Sequence, residues 1–195
     1  MKPEEVKRLY DNVVKICQVS FDEDEYQRIK FMIDDMSDML FMCPASDRDD
    51  RGFDVPGGLL AHMVSVVSHA RKLAPILAPD ESVASIVKVA LFHDIGRVGD
   101  PAPARRIPYY LPEEDSWRRE KLGKNFKYND ALPKMTHSAR SLYVLSNYGI
   151  GLNMHEWIAI QTAYGYGLEE NRFYIGDDRQ LTLLLQTAVR RAMLA

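Results

Sequence analysis

Apolar residues recur at three-to-four spacing along most of the chain. Val6, Leu9, Tyr10, Val13, Val14 and Ile16 form one stripe, which predicts an amphipathic helix over about 4–19. Asp22 with Glu25 three residues on has the form of a capping box, and it opens a second helix through Ile29, Phe31, Ile33, Met36 and Leu40, ending before Pro44. A polar loop follows and closes on Pro56-Gly57-Gly58. An apolar helix then runs from Leu59 to about Leu77, and another from about Asp80, behind Pro79, to Ile95, where Gly96 stops it. Three more are predicted: Thr136–Tyr148, Asn153–Tyr164 with Asn153 and Glu156 as a capping pair, and Arg179 to the C-terminus.

Residues 96–135 break this rhythm. Five prolines fall there, at 101, 103, 108, 112 and 133, so the stretch reads as a long irregular excursion. Its aromatics, Tyr109, Tyr110, Trp117, Phe126 and Tyr128, argue against disorder. Signals for strands are too few and scattered for a sheet. The expectation is an all-α bundle of about seven helices in a single domain over 1–195. Within it, 1–43 forms an N-terminal acidic helix pair, 45–195 forms the core, and 96–135 is an inserted loop.

Composition narrows the class. The chain has 195 residues, 46% apolar and 27% charged, with net charge −3 and two cysteines. Cys17 and Cys43 make no disulfide framework, no Cys-x-x-Cys is present, and neither thiol has an evident base partner in sequence. No apolar run approaches the roughly 20 residues of a membrane span, and the start Met1-Lys-Pro-Glu-Glu has no signal-peptide apolar region. The expectation is a cytoplasmic protein. A pI near 6.0 speaks against a general nucleic-acid coat. Charge is uneven: residues 1–50 hold 7 basic against 13 acidic side chains, whereas 101–130 hold 7 against 5, with Arg105-Arg106 and Arg118-Arg119 as pairs. The second patch is a solvated loop or a platform for an anion.

The chemistry concentrates on histidine. In Ala90-Leu91-Phe92-His93-Asp94-Ile95-Gly96-Arg97, a His-Asp pair ends an apolar helix. Two such groups near a core each need a partner, and a metal ion satisfies both at once. His62 lies inside another apolar helix, so two helices offer imidazoles beside one carboxylate, a donor set suited to Zn²⁺, Mn²⁺, Fe²⁺ or Ni²⁺. His69 and His155 read as structural. Met32, Met36, Met39 and Met42, at spacings of three to four, read as a packing seam.

The stretches Gly57-Gly58-Leu59-Leu60-Ala61-His62-Met63-Val64-Ser65-Val66 and Ala90–Arg97 resemble the HD-domain superfamily of metal-dependent phosphohydrolases, over roughly residues 45–195. Tyr109-Tyr110-Leu111-Pro112 and Trp117–Lys124 are similar to an HD subgroup common in tailed-phage genomes. The resemblance implies that His62, His93 and Asp94 are the first metal ligands, with His137 a further one. It also places Ala163 and Val189 where other members carry a His and the final Asp, the acids nearest to Val189 upstream being Asp177 and Asp178. That ligand loss implies one divalent ion, Mn, Ni, Fe, Zn or Mg, rather than two, and a poor fit to the two-iron oxygenase branch. It also leaves room for no ion at all.

The implied activity is phosphate-ester hydrolysis on a nucleotide or other small phosphorylated molecule, with Asp94 and Arg97 catalytic. Arg97 clamps phosphate or serves as a cation at the helix end; Arg118, Lys121, Lys124 and Tyr110 join it as substrate-binding candidates, with Arg119, Tyr109 and Trp117 in the same patch. The alternative is a catalytically degenerate HD fold that binds a ligand or a protein. The sequence leaves an oligomer open.

Overall fold

The computed structural model describes residues 1–48, 52–102, 106–176 and 179–194. Arg105, Asp177 and Asp178 lie outside the described residues. The chain is helical as expected, with boundaries set by local capping. Helix α1 spans Pro3–Ser20 and α2 Glu23–Asp35, where the Asp22 side chain accepts from the Glu25 N–H. The apolar stripe then continues, but the backbone turns at Met36, and Ser37–Met42 forms a separate short α3. Helix α4 spans Gly58–Leu77. Helix α5 is shorter than predicted, Val83–Phe92, because the Ser82 hydroxyl accepts from the Ser85 N–H and caps it in place of Asp80.

The excursion over 96–135 is more ordered than an irregular loop. After a 3₁₀ turn at Ile95–Val98, β1 (Gly99–Asp100) pairs antiparallel with β2 (Ile107–Pro108), and β3 (Tyr110–Pro112) with β4 (Phe126–Tyr128). Between β3 and β4 sits α6, Ser116–Leu122, capped by Asp115. Strands of two and three residues are too short to show an alternating pattern, which is why sequence reading gave no sheet. The Asn125 N–H donates to the Asp47 carbonyl at 3.0 Å, pinning this insert to the loop before α4. Helices α7 (His137–Asn147), α8 (Met154–Gln161, with the Asn153/Glu156 capping box) and α9 (Gln180–Ala192) complete the bundle. More helices form than the seven expected, since α3 and α6 are too short to carry an amphipathic signature.

Helix α4 is the hub, packed against α9 and α5 and flanked by α1. One apolar core runs from Val13, Ile29, Met32 and Met36 through Leu60, Val66 and Leu91 to Leu185 and Val189, so the N-terminal helices share it. Met42, the last of the methionine series, is exposed instead. The acidic N-terminal segment is also tied inward by charge. The Asp35 carboxylate pairs with Arg106 at 3.0 Å and accepts from the Tyr148 hydroxyl. Glu25 and Glu156 both pair with Lys88, at 2.6 and 3.3 Å. Among the described residues, no helix is long and apolar enough to cross a membrane.

Candidate metal centre

Two close approaches assemble the site. Gly57 takes a left-handed φ of 76°, and a Cβ on Gly58 would stand 2.0 Å from the Phe53 carbonyl oxygen. Only glycine lets the chain fold back tightly enough to start α4 there and set His62 one turn in. At the other helix, His93 is the C-cap of α5 and Asp94 leads into the 3₁₀ turn. A Cβ on Gly96 would meet the Ser141 nitrogen at 2.5 Å, whereas the Gly96 N–H donates to the Ser141 hydroxyl at 3.0 Å. The second glycine of the motif thus brings α7 against the His-Asp turn.

His62, His93 and Asp94 are buried and meet, each with one ligand atom within 4.8 Å of the others'. The Asp94 Oδ2 lies 3.8 Å from His62 Nε2 and 3.9 Å from His93 Nε2. His93 Nδ1 is 3.1 Å from the Ala90 carbonyl, which fixes the proton on Nδ1 and turns the Nε2 lone pair into the cluster. That Nε2 and the Asp94 Oδ1 are buried and have no hydrogen-bond partner. Unpaired nitrogen and carboxylate donors at one point are the chemistry a divalent cation satisfies, so the residues present fit such an ion.

A second layer holds the carboxylate. The Arg97 Nε donates to Asp94 Oδ2 at 2.7 Å, its Nη1 to the Tyr110 hydroxyl at 2.7 Å and its Nη2 to the Tyr164 hydroxyl at 3.4 Å. The Tyr164 hydroxyl in turn donates to the same Oδ2. Sequence reading missed Tyr164: it follows Ala163 directly, at the end of α8, where a tyrosine reads as packing.

His137, at the first position of α7, stands outside the close trio. Its ring packs at 5.2 Å from Tyr109 and 6.4 Å from Tyr164, and its Nδ1 is buried without a partner. It faces a polar pocket of about 340 Å³ that it shares with Ser46, Asp47, Arg48, Arg97 and Tyr110. Arg48, absent from the sequence-based candidates, supplies a cation there and lies 3.9 Å from the Asp47 carboxylate. Two of the other candidate cations also pair with acids. Arg118 pairs with Glu113 at 3.4 Å and Lys124 with Asp47 at 3.5 Å, and both line a neighbouring depression that meets the polar pocket at Asp47. Lys121 is exposed on α6, as is Trp117. Ala163 and Val189 are buried, and both belong to the apolar core.

Electrostatics favour the ligating protonation states. Burial alone pushes the Asp94 carboxyl up, but Arg97 and the surrounding imidazoles overcome it and hold the group well below the usual carboxylate range. Burial pushes the His93 imidazole down, and burial with Arg97 lowers His137 to about 4. Both rings are therefore neutral at pH 7. An unfolded chain takes up the His137 proton near pH 6.5 and the fold only near 4, so the unfolded chain binds more protons between those values, and His93 acts in the same direction. Stability is complete above that window and falls as pH drops through it. Denaturant unfolding at pH 7 and pH 5 should show a loss on the order of 1–2 kcal/mol; equal stability at the two pH values would contradict neutral buried imidazoles.

Residues 59–152 match the family model of the HD domain. The match takes in His62, His93, Asp94, Arg97 and His137, and stops before Tyr164 and Val189. No curated protein and no solved structure matches the chain. With two imidazoles and the adjoining carboxylate buried at one point, residues 59–152 carry an HD domain, the fold of a superfamily of metal-dependent phosphohydrolases.

Proposed function

We propose that the protein hydrolyses the phosphate ester of a nucleotide or other small molecule at a single divalent ion held by His62, His93 and Asp94, with His137 as a further ligand. The observation that carries this reading is the buried meeting of His62, His93 and Asp94, where His93 Nε2 and Asp94 Oδ1 have no hydrogen-bond partner, beside a polar pocket lined by two arginines. Such an ion, when bound, lowers the pKa of water towards neutrality and polarises a phosphoryl oxygen.

The chain's own residues set the geometry. Arg97 holds Asp94 from one side and keeps it ionised, a positioning role more than the free phosphate clamp expected from sequence. Arg48 and the Arg97 edge facing the pocket bind and orient the phosphoryl oxygens, which suits planar guanidinium donors. His137, neutral and with an unpaired Nδ1, takes or passes a proton at the pocket floor, or lends that nitrogen to the ion. The test is phosphate release from nucleoside phosphates and simple phosphomonoesters with Mn²⁺, Ni²⁺, Zn²⁺ or Mg²⁺. Release should stop with a chelator and in a folded His93→Ala protein; undiminished release by that variant would end the reading.

One observation favours a second reading, a degenerate HD fold that binds without turnover. The Asp94 Oδ2 nearest both imidazoles already accepts from Arg97 and Tyr164, so an ion competes with internal donors for it. Tyr164→Phe discriminates: it removes one competitor, and metal affinity should rise several-fold where competition limits it. Unchanged affinity together with metal-dependent turnover would set the second reading aside.

A further inference from the structure

A separate apolar cavity of about 380 Å³ lies against the metal-site pocket. Its walls include Met39, Met42, Val98, Leu111 and Phe126, and it shares Arg97 and Tyr110 with the polar pocket. Those two side chains bond to each other at 2.7 Å. The Tyr110 ring, packed edge-on against Tyr109 at 4.7 Å, adds an aromatic surface. Exposed Met42 and Pro112 stand at the rim. Two polar side chains in the walls besides Arg97 and Tyr110 are already engaged. The Asn125 amide donates to Asp54 at 2.6 Å, and the Cys43 thiol to the Arg97 carbonyl at 3.0 Å.

The pairing of a polar pocket lined by Arg48, Arg97 and Asp47 with an adjoining apolar one that shares Arg97 and Tyr110 selects an amphiphile. We propose that the apolar cavity is the subsite for the organic portion of the substrate, and that this portion is an alkyl or aryl group. The proposal rests on the phosphate-ester reading above. A nucleobase would bring donors and acceptors into a cavity lined mainly by apolar side chains, leaving most of them unpaired. A hydrocarbon or a plain aromatic ring loses nothing there, and it gains the burial of its own surface and that of Leu111, Phe126 and the methionines. The cavity size falls in the range of small-molecule sites.

The series methyl, n-butyl and n-hexyl phosphonate tests this by calorimetry on the full chain, with and without Mn²⁺, since the P–C bond resists hydrolysis. Each added methylene should tighten binding about two- to fourfold, so hexyl phosphonate should bind roughly tenfold tighter than butyl. Leu111→Trp, which fills the cavity, should flatten the series. Met42→Glu at the exposed rim, where folding is not at stake, should weaken the hexyl compound and spare the methyl one. Equal affinities along the series, or adenosine monophosphate binding tighter than hexyl phosphonate, would overturn the subsite. Chain-length-dependent binding without any hydrolysis of hexyl phosphate would leave the subsite standing and remove the hydrolase reading. Hydrolysis without chain-length dependence would do the reverse.

Discussion

Asp94→Ala should abolish metal uptake and at the same time destabilise the fold by about 3 kcal/mol. The two losses have different origins. The first follows from removal of the carboxylate that lies 3.8 and 3.9 Å from the imidazoles. The second follows from Arg97, which is buried and would keep only its tyrosine partners once the 2.7 Å bond to Asp94 is gone. Removing one member of a buried pair leaves an uncompensated charge, which is costlier than losing the pair altogether. The drop corresponds to roughly 6–12 °C in Tm for a chain of this size. Thermal unfolding with and without Mn²⁺ separates the effects. Wild-type protein should gain stability from the ion, and the variant should start lower and gain nothing. A variant as stable as wild type, and equally stabilised by Mn²⁺, would contradict both arguments.

Lys88→Met should be the most damaging change away from the metal centre, costing about 3 kcal/mol or more. Lys88 is buried on α5 and joins Glu25 of α2, Glu156 of α8 and the Gly151 carbonyl at 2.6, 3.3 and 3.2 Å. Without it, Glu156 is left buried with only the Asn153 N–H on its carboxylate. Three elements that meet through one ammonium lose their common partner. The double variant Lys88→Met/Glu156→Gln removes the stranded charge and should recover part of the loss, which denaturant titration reads as non-additivity. Strictly additive losses would mean that the pair carries little coupling.

The helical bundle was legible wherever a cap and an apolar stripe agreed. Asp22 and Asn153 marked the starts of α2 and α8 correctly because their side chains bond their own helix, a local event. The turn at Met36 was not legible, since the apolar period runs unbroken through Ile33, Met36 and Leu40 and only the packing separates α2 from α3. The start of α5 lies at Ser82 rather than Asp80, because the Ser82 hydroxyl caps the helix while a Pro-Asp pair is the louder signal in sequence. The short ladders of the insert depend on partners distant in sequence, and two-residue strands carry no period of their own.

At the site, His62, His93 and Asp94 were readable because ionisable side chains beside long apolar stretches need partners, and a metal ion supplies one to all three. Tyr164 and Arg48 were not, because their place beside Asp94 and Arg97 comes from the α8 terminus and the Asp47 loop folding over the 3₁₀ turn. Arg97 was legible as a cation beside the His-Asp pair, but its bond to Asp94 was not. The Asp94–Arg97 contact spans three residues within that 3₁₀ turn, a geometry that the predicted continuous helix to Ile95 did not contain.

A single divalent ion among His62, His93 and Asp94 is open to elemental analysis of protein purified without chelator and loaded with Mn²⁺, Ni²⁺ or Zn²⁺, beside a His93→Ala control. Wild-type protein should hold about one ion per chain and the control none. No ion in either protein after loading would contradict a metal centre at these three residues.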